Sequence, residues 1–327
     1  MHILITGAAG MIGRKLTERL VIDRALNGQP VDKLTLIDIV APARLAGFSD
    51  REKTRAADLA DPGVAEKAVS ERPEVIFHLA GVVSGEAELD FEKGYRTNLD
   101  GMRALLEAIR KTGDGYKPRV IFTSSMAVYG APFHDTISDE FHLTPLTSYG
   151  TQKMMCEAML TDYTRKGFIE GVGIRLPSIV VRPGKPNKAA SGFFSGIIRE
   201  PLAGQEALLP VDESVVHTHA SPRSAVGFLI HGAGLPREKI EPHVNLTMPG
   251  VCCTVGEQIE ALRRIAGDKV AARIRREPDE LVMRIVAGWP HRLEGTRATE
   301  LGFKVESTFD EIIRVHIEED LGGKFVM

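Results

Sequence analysis

Residues 2–13 read HILITGAAGMIG: an apolar run, then Gly7, Gly10 and Gly13 spaced as G-x-x-G-x-x-G, with a helical pattern beginning near Met11. Small residues at such a strand-to-helix turn let the backbone bend sharply and bring helix N–H groups against a pyrophosphate, whose charge a helix N-terminus favours. A glycine triplet alone also suits any tight βα turn, so its meaning depends on the chain downstream of it.

Downstream, strand-like and helix-like segments alternate. The helical spacing of Arg14 to Val21 leads to LTLID, a helical stretch around Val64 to Val69 leads to VIFHLA, and Leu99, Met102, Leu105, Leu106 and Ile109 share one helical face before the strand RVIFTS. A helix from about Ser148 to Arg165 then precedes GVGIRLPS. Strands alternating with helices predict βαβ units and a parallel sheet. The fold class is therefore α/β, with residues 1–180 forming a Rossmann-type, doubly wound dinucleotide-binding domain.

After Pro177 the punctuation changes. VVRPGKPNKAASGFF concentrates Pro, Gly, Ser and Lys in a loop suited to a ligand, and the domain crossover is expected there. Residues 181–327, with VNLTM, a Thr254-capped helix over Val255 to Ala266 and a helix around Phe309 to Glu319, form a smaller C-terminal α/β substrate lobe. A segment near residues 205–235 is a candidate to return to the first domain.

Asp38 ends the second strand, 25 positions after Gly13, where a carboxylate can accept from both adenosine ribose hydroxyls and repel a 2′-phosphate; NAD is expected over NADP. Asp58, in AADLADP, has two readings: an acceptor for the adenine amino group, or a helix N-cap before Pro62.

Tyr149 and Lys153 stand four apart at the start of a helix, so one turn sets both on one face. A free phenol titrates near about 10, and a neighbouring ammonium together with an oxidised nicotinamide favours the phenolate, a usable base. The strand RVIFTS ends in Ser124 and Ser125, the latter 24 residues before Tyr149, and a hydroxyl there can hold a substrate oxygen in line with the phenol.

GAAGMIG, Asp38, FHLAG, Asn98 in NLDGMRALLEAI, TSSMAVYG and YGTQK, in that order, resemble the extended short-chain dehydrogenase/reductase family over roughly the first 185 residues. The resemblance implies that Ser125, four before the tyrosine of the VYG motif, is the catalytic serine beside Tyr149 and Lys153. It implies that Asn98 orients the lysine through its helix, and that Leu79, Ala80, Gly81, Pro177 and Ile179 border the cofactor. Ala9, Met11, Ile12, Ile39, Leu59 and Ser124 complete the implied cofactor set.

A closer resemblance, to a group of sugar-acid dehydrogenases within that family, runs through VVSGEAELDFEKGY, DEFHLTPLTSYGTQK, RLPSIVVRPGKPNKAASGFFSGIIREPLAGQ, HTHASPRSAVGFLIHGA and VGEQIEAL. It implies NAD-linked oxidation at C2 of the four-carbon acid D-erythronate. Ser84, Ser125, Met126, Tyr149, Arg182, Lys185, Ser191 and Arg223 are the candidate substrate contacts, since guanidinium forks suit a carboxylate. The competing readings are a nucleotide-sugar epimerase or dehydratase, which would need a long basic groove where this lobe offers the small-residue loop Ala189 to Gly192 and two phenylalanines, and a non-catalytic NAD-sensing regulator.

Net charge −3, with both signs mixed along the 327 residues, argues against nucleic-acid and membrane partners and for a small molecule. MHILITGAAG carries no basic leader or signal-length apolar run, so export is not expected. Cys156 and the adjacent Cys252 and Cys253 give no disulfide framework; a reducing cytoplasm fits, and the family likeness suggests a homodimer. His217 and His219 alternate on a strand but find no third ligand, so no metal is expected. His78 reads as a buried strand histidine, and Trp289, Met154, Met155 and Met159 as core or dimer packing.

Overall fold

In a computed structural model of the chain, residues 1–45, 51–184 and 190–327 are described. Seven strands build the main sheet: β1 (His2–Thr6), β2 (Lys33–Asp38), β3 (Glu52–Ala56), β4 (Val75–His78), β5 (Arg119–Ser125), β6 (Glu170–Leu176) and β7 (Asn245–Thr247). Their spatial order is β7-β6-β5-β4-β1-β2-β3. β1 pairs in parallel with both β2 and β4, so the order reverses at the C-terminal ends of β1 and β4. In doubly wound sheets a ligand crevice opens at that switch point.

The helices here are α1 (Met11–Asp23), α2 (Val64–Val69), α3 (Ser84–Leu89), α4 (Gly101–Thr112), α5 (Ser148–Arg165) and α6 (Pro222–Gly234). α4 shows why the pattern folds as it does. Met102, Leu105, Leu106 and Ile109 recur at helical spacing and all are fully buried, packed with Leu4, Ile76, Val120 and Phe122 of the sheet. Each such side chain contributes roughly 1.5–3 kcal/mol of burial. The central strands β1, β4 and β5 are buried along nearly their whole length, as expected where both faces are covered, whereas the edge strand β3 (EKTRA) is largely polar.

The chain divides into two compact units, and the division does not follow the expected cut at residue 180. The first holds Met1–Val128, Thr147–Arg175 and Val226–Leu246; the second holds Tyr129–Leu146, Leu176–Ala225 and Thr247–Met327. The segment that rejoins the first unit thus starts at Val226, not near residue 205, because it supplies most of α6 and the edge strand β7.

The second unit has its own core. A three-stranded sheet of Ser178–Ile179, Val216–Ala220 and Val251–Thr254 packs with the helices Gly192–Leu202, Val255–Ala266 and Phe309–Asp320 through Phe194, Ile197, Ile198, Leu262, Ile312 and Ile313. Thr254 and Glu257 close a capping box on the second of these helices, each side chain meeting the other's backbone N–H.

Candidate active site

Gly7 takes a left-handed φ of +74°, and a β-carbon there would stand 2.5 Å from the Ala80 nitrogen. One at Gly13 would stand 2.2 Å from the Gly7 carbonyl oxygen. Only hydrogen fits at either place. Gly10 is the N-cap of α1 and supplies no side-chain acceptor, so the first-turn N–H groups of α1 have no cap from it. Ala9, Met11 and Ile12 line the same loop, each partly exposed.

Asp38 closes β2 and turns onto this loop, where one carboxylate oxygen accepts from the Ala9 N–H at 2.9 Å. Ile39 beside it is exposed. Asp58 is not the cap of α2, which belongs to Gly63. It forms a local turn, accepting from the Ala60 N–H at 2.9 Å, and its other oxygen pairs with Arg96 Nε at 3.2 Å. Leu59 points into the core. Leu79 and Ala80 leave β4 directly over Gly7.

Thr147 caps α5 by accepting from the Gly150 N–H, which fixes Tyr149 in the first turn. Lys153, one turn on, is buried and donates from Nζ to the Thr123 carbonyl at 2.9 Å. Its Nζ lies 4.8 Å from the Phe122 ring centroid and 5.6 Å from that of Tyr149. A β-carbon at Gly81 would stand 2.8 Å from Asn98 Oδ1, so that glycine makes room for the Asn98 amide, with Lys153 Nζ at an ordinary contact distance of 3.6 Å. His78 is fully enclosed; burial first, and the Lys153 charge second, push it down to about 3. It is a neutral partner to Thr6 Oγ1 at 2.8 Å.

Asn98 sits in a π-helical stretch, Tyr95–Asp100. Its Oδ1 accepts from the Val82 N–H at 2.9 Å and its Nδ2 donates to Gln152 Oε1 at 2.7 Å. Its hold on α5 is thus at Gln152, next to Lys153. Ser125 is partly exposed, its Oγ accepting from the Ala127 N–H at 3.2 Å, and Met126 is buried. The Ser124 hydroxyl donates to Glu157 at 2.5 Å, inside the protein.

In the second unit, Arg182 donates from Nε to the Ile179 carbonyl and from Nη2 to Ser191 Oγ, both at 2.9 Å. Pro177 precedes the short strand holding Ile179, which is buried. Arg223 is occupied differently, by Glu319 at 2.7 Å and Glu318 at 2.8 Å. Ser84, in the first unit, opens α3 and is partly exposed. Lys185 and Ala189 lie outside the described residues. His217 and His219 are both buried among Phe194, Trp289 and Phe309, and burial pushes His217 down to about 3. Among the described residues no cluster of three metal-ligating side chains occurs.

The sequence profile of the NAD dependent epimerase/dehydratase family matches residues 3–219. The chain belongs to that family. Its family, together with the two dehydrogenases it is similar to, makes it an NAD-dependent oxidoreductase, and the glycine loop, the α1 N-terminus and Asp38 fit that dinucleotide. Two D-erythronate dehydrogenases are similar to this family member over nearly its whole length. The one from Cupriavidus necator is 46% identical over 98% of each chain, and the one from Haemophilus influenzae 41% identical over 98% of this chain and all of its own. A solved structure described as the nucleoside-diphosphate-sugar epimerase from Agrobacterium tumefaciens is 66% identical, covers 99% of this chain and 95% of its own, and superposes with a TM-score of 0.97. The L-threonine dehydrogenase of Cupriavidus necator, at 21% identity and a TM-score of 0.84, shares the fold over 97% of this chain and 99% of its own. No helix among the described residues is long and apolar enough to cross a membrane.

Gln152, Glu157 and Arg175 escaped sequence reasoning. A glutamate four residues after a lysine on a helix has the spacing of an exposed ion pair, and only the fold reveals that this one is buried against β5 and β6.

Proposed function

We propose that this chain oxidises the C2 hydroxyl of a small sugar acid, D-erythronate, to 2-oxo-tetronate. The observation that carries the reading is the near-full-length identity to two D-erythronate dehydrogenases, which extends well past the cofactor half into the second unit. NAD, when bound, supplies the two-electron acceptor.

Tyr149 is the base that takes the hydroxyl proton. Lys153, held by the Thr123 carbonyl, stabilises the phenolate and passes the proton outward. Ser125 grips the reacting oxygen, and Asn98 steadies α5 through Gln152. Asp38 takes the ribose hydroxyls of the cofactor. Arg182 with Ser191 supplies the donor fork for the substrate carboxylate, a role for which Arg223 is less suited because two glutamates already hold it. Ser84 and Met126 flank the substrate. Three free cysteines support a reducing, cytoplasmic setting, and the family's habit supports a homodimer, which sedimentation would test.

The deciding experiment is an NAD-reduction screen over four- to six-carbon aldonic acids, run beside product analysis of UDP- and dTDP-sugars, since epimerisation returns its hydride and leaves no net NADH. Turnover of D-erythronate is expected. Turnover of nucleotide sugars alone would favour the second reading, an epimerase, which the Agrobacterium tumefaciens likeness supports.

A further inference from the structure

Two side chains tie the end of β5 to α5. The first is Lys153, whose Nζ donates to the Thr123 carbonyl at 2.9 Å. The second lies one residue further along the strand, where Ser124 Oγ donates to Glu157 Oε1 at 2.5 Å. Glu157 follows Lys153 by one helical turn and Tyr149 by two, and is 1% exposed; Ser124 is 3% exposed. Arg175, on β6, grips the same carboxylate as a fork: Nε lies 2.9 and 3.1 Å from its two oxygens and Nη2 lies 2.7 Å from Oε2. Asn245, on β7, donates to the Glu157 backbone carbonyl at 3.3 Å and to Thr161 Oγ1 at 3.0 Å.

Such a buried ion pair is a poor stabiliser, because desolvating both charges offsets most of their attraction. What it gives is direction. A carboxylate held on one side by a planar fork offers Ser124 a single position, whereas apolar side chains of the same volume would let strand and helix slide.

We propose that Glu157, oriented by Arg175, is a positioning residue for the reaction: through Ser124 it sets the register of the β5 end against α5. The neighbours of Ser124 on either side are the two groups whose placement the chemistry needs, the Thr123 carbonyl that holds Lys153 and the Ser125 hydroxyl. A slip between strand and helix would move both relative to Tyr149, and misplacement of about 1 Å can cost about 10²-fold in rate. The reaction itself is the one proposed above, on which this inference rests for its kinetic test.

The test uses the full-length, NAD-loaded protein and the variants Ser124→Ala, Glu157→Gln and their combination. For Ser124→Ala we expect NAD stoichiometry unchanged and its KM within about twofold, kcat on D-erythronate lower by about tenfold or more, and a larger primary deuterium isotope effect with substrate deuterated at C2. The double variant should lose no more than about the worse single one, since both act on one tie. Amide hydrogen exchange should rise in peptides spanning β5 and the first half of α5 while β1 and β2 keep their protection. Unchanged kcat and isotope effect in Ser124→Ala would overturn the inference, as would a loss of kcat matched by loss of NAD stoichiometry. If the wild type fails to oxidise D-erythronate, the substrate reading falls, and the exchange experiment alone decides the positioning role: local loosening supports it, unaltered or sheet-wide exchange overturns it.

Discussion

The carboxylate of Asp38 and the backbone N–H of Ala9 meet at 2.9 Å, so the acidic end of β2 is fastened to the glycine loop it faces. One oxygen thereby fixes the aspartate's rotamer, and the other accepts only a long contact from the Val40 N–H, at 3.5 Å; the proposed role for it is to take a ribose hydroxyl.

Asp38→Ala should therefore raise the KM for NAD by about 10- to 100-fold, the worth of one or two hydrogen bonds to a charged acceptor. The KM for NADP should rise less, or fall, since the repulsion of a 2′-phosphate disappears. Steady-state kinetics with both cofactors checks this; equal effects on the two would show that Asp38 does not read the ribose.

The glycines of the loop should differ sharply from a glycine elsewhere that has open space around it. Gly63 has a φ of +79° and open space where a β-carbon would stand, so Gly63→Ala should cost only about 1–2 kcal/mol, the left-handed penalty. Gly13→Ala must push a methyl into the Gly7 carbonyl and should cost more than Gly63→Ala and abolish the rise in Tm that NAD gives the wild type. Thermal unfolding with and without NAD separates the two.

Tyr149→Phe removes the hydroxyl and leaves the ring beside Lys153. We expect kcat to fall by about 10² to 10⁴ while NAD still binds, the range for loss of a general base. A variant with near-normal turnover would remove the phenol from the mechanism.

Acid should weaken the fold through its enclosed histidines. His78 and His217 are held at about 3 by burial, against an ordinary value of 6.5, so between these pH values the unfolded chain binds more protons than the native one. Their contribution is complete above about pH 7 and drains away as pH falls towards 3, by about 1 kcal/mol per histidine between pH 7 and 5.5. His78→Gln should flatten the dependence of Tm on pH over that window by its share.

Arg182→Ala should raise the KM for the acid substrate by about tenfold or more, and Arg223→Ala by less than about twofold. The reverse order would reassign the carboxylate fork.

Much of this was legible in the chain itself. The glycine triplet, the apolar strands and the face of α4 are local patterns, and local patterns report their own period faithfully. Tyr149, Lys153 and Asp38 were legible for the same reason, as motifs tied to element ends. What local patterns do not carry is partnership. Nothing in Tyr129–Leu146 announces that it joins the second unit, where Thr136–Ile137 pairs in parallel with Arg292–Leu293, because that pairing is decided more than 150 residues away. Asp58 illustrates the limit at a single residue: both of its sequence readings were reasonable, and Arg96, 38 positions on, took one of its oxygens.

The chain passes from one compact unit to the other after Val128, Leu146, Arg175, Ala225 and Leu246. Neither unit is therefore a continuous stretch that could be cut out, fused or exchanged as a cassette between relatives. New substrate preference in such a protein has to be acquired by point changes and loop edits within an interwoven whole. An engineer wishing to retarget it would do better to mutate in place than to transplant its C-terminal half.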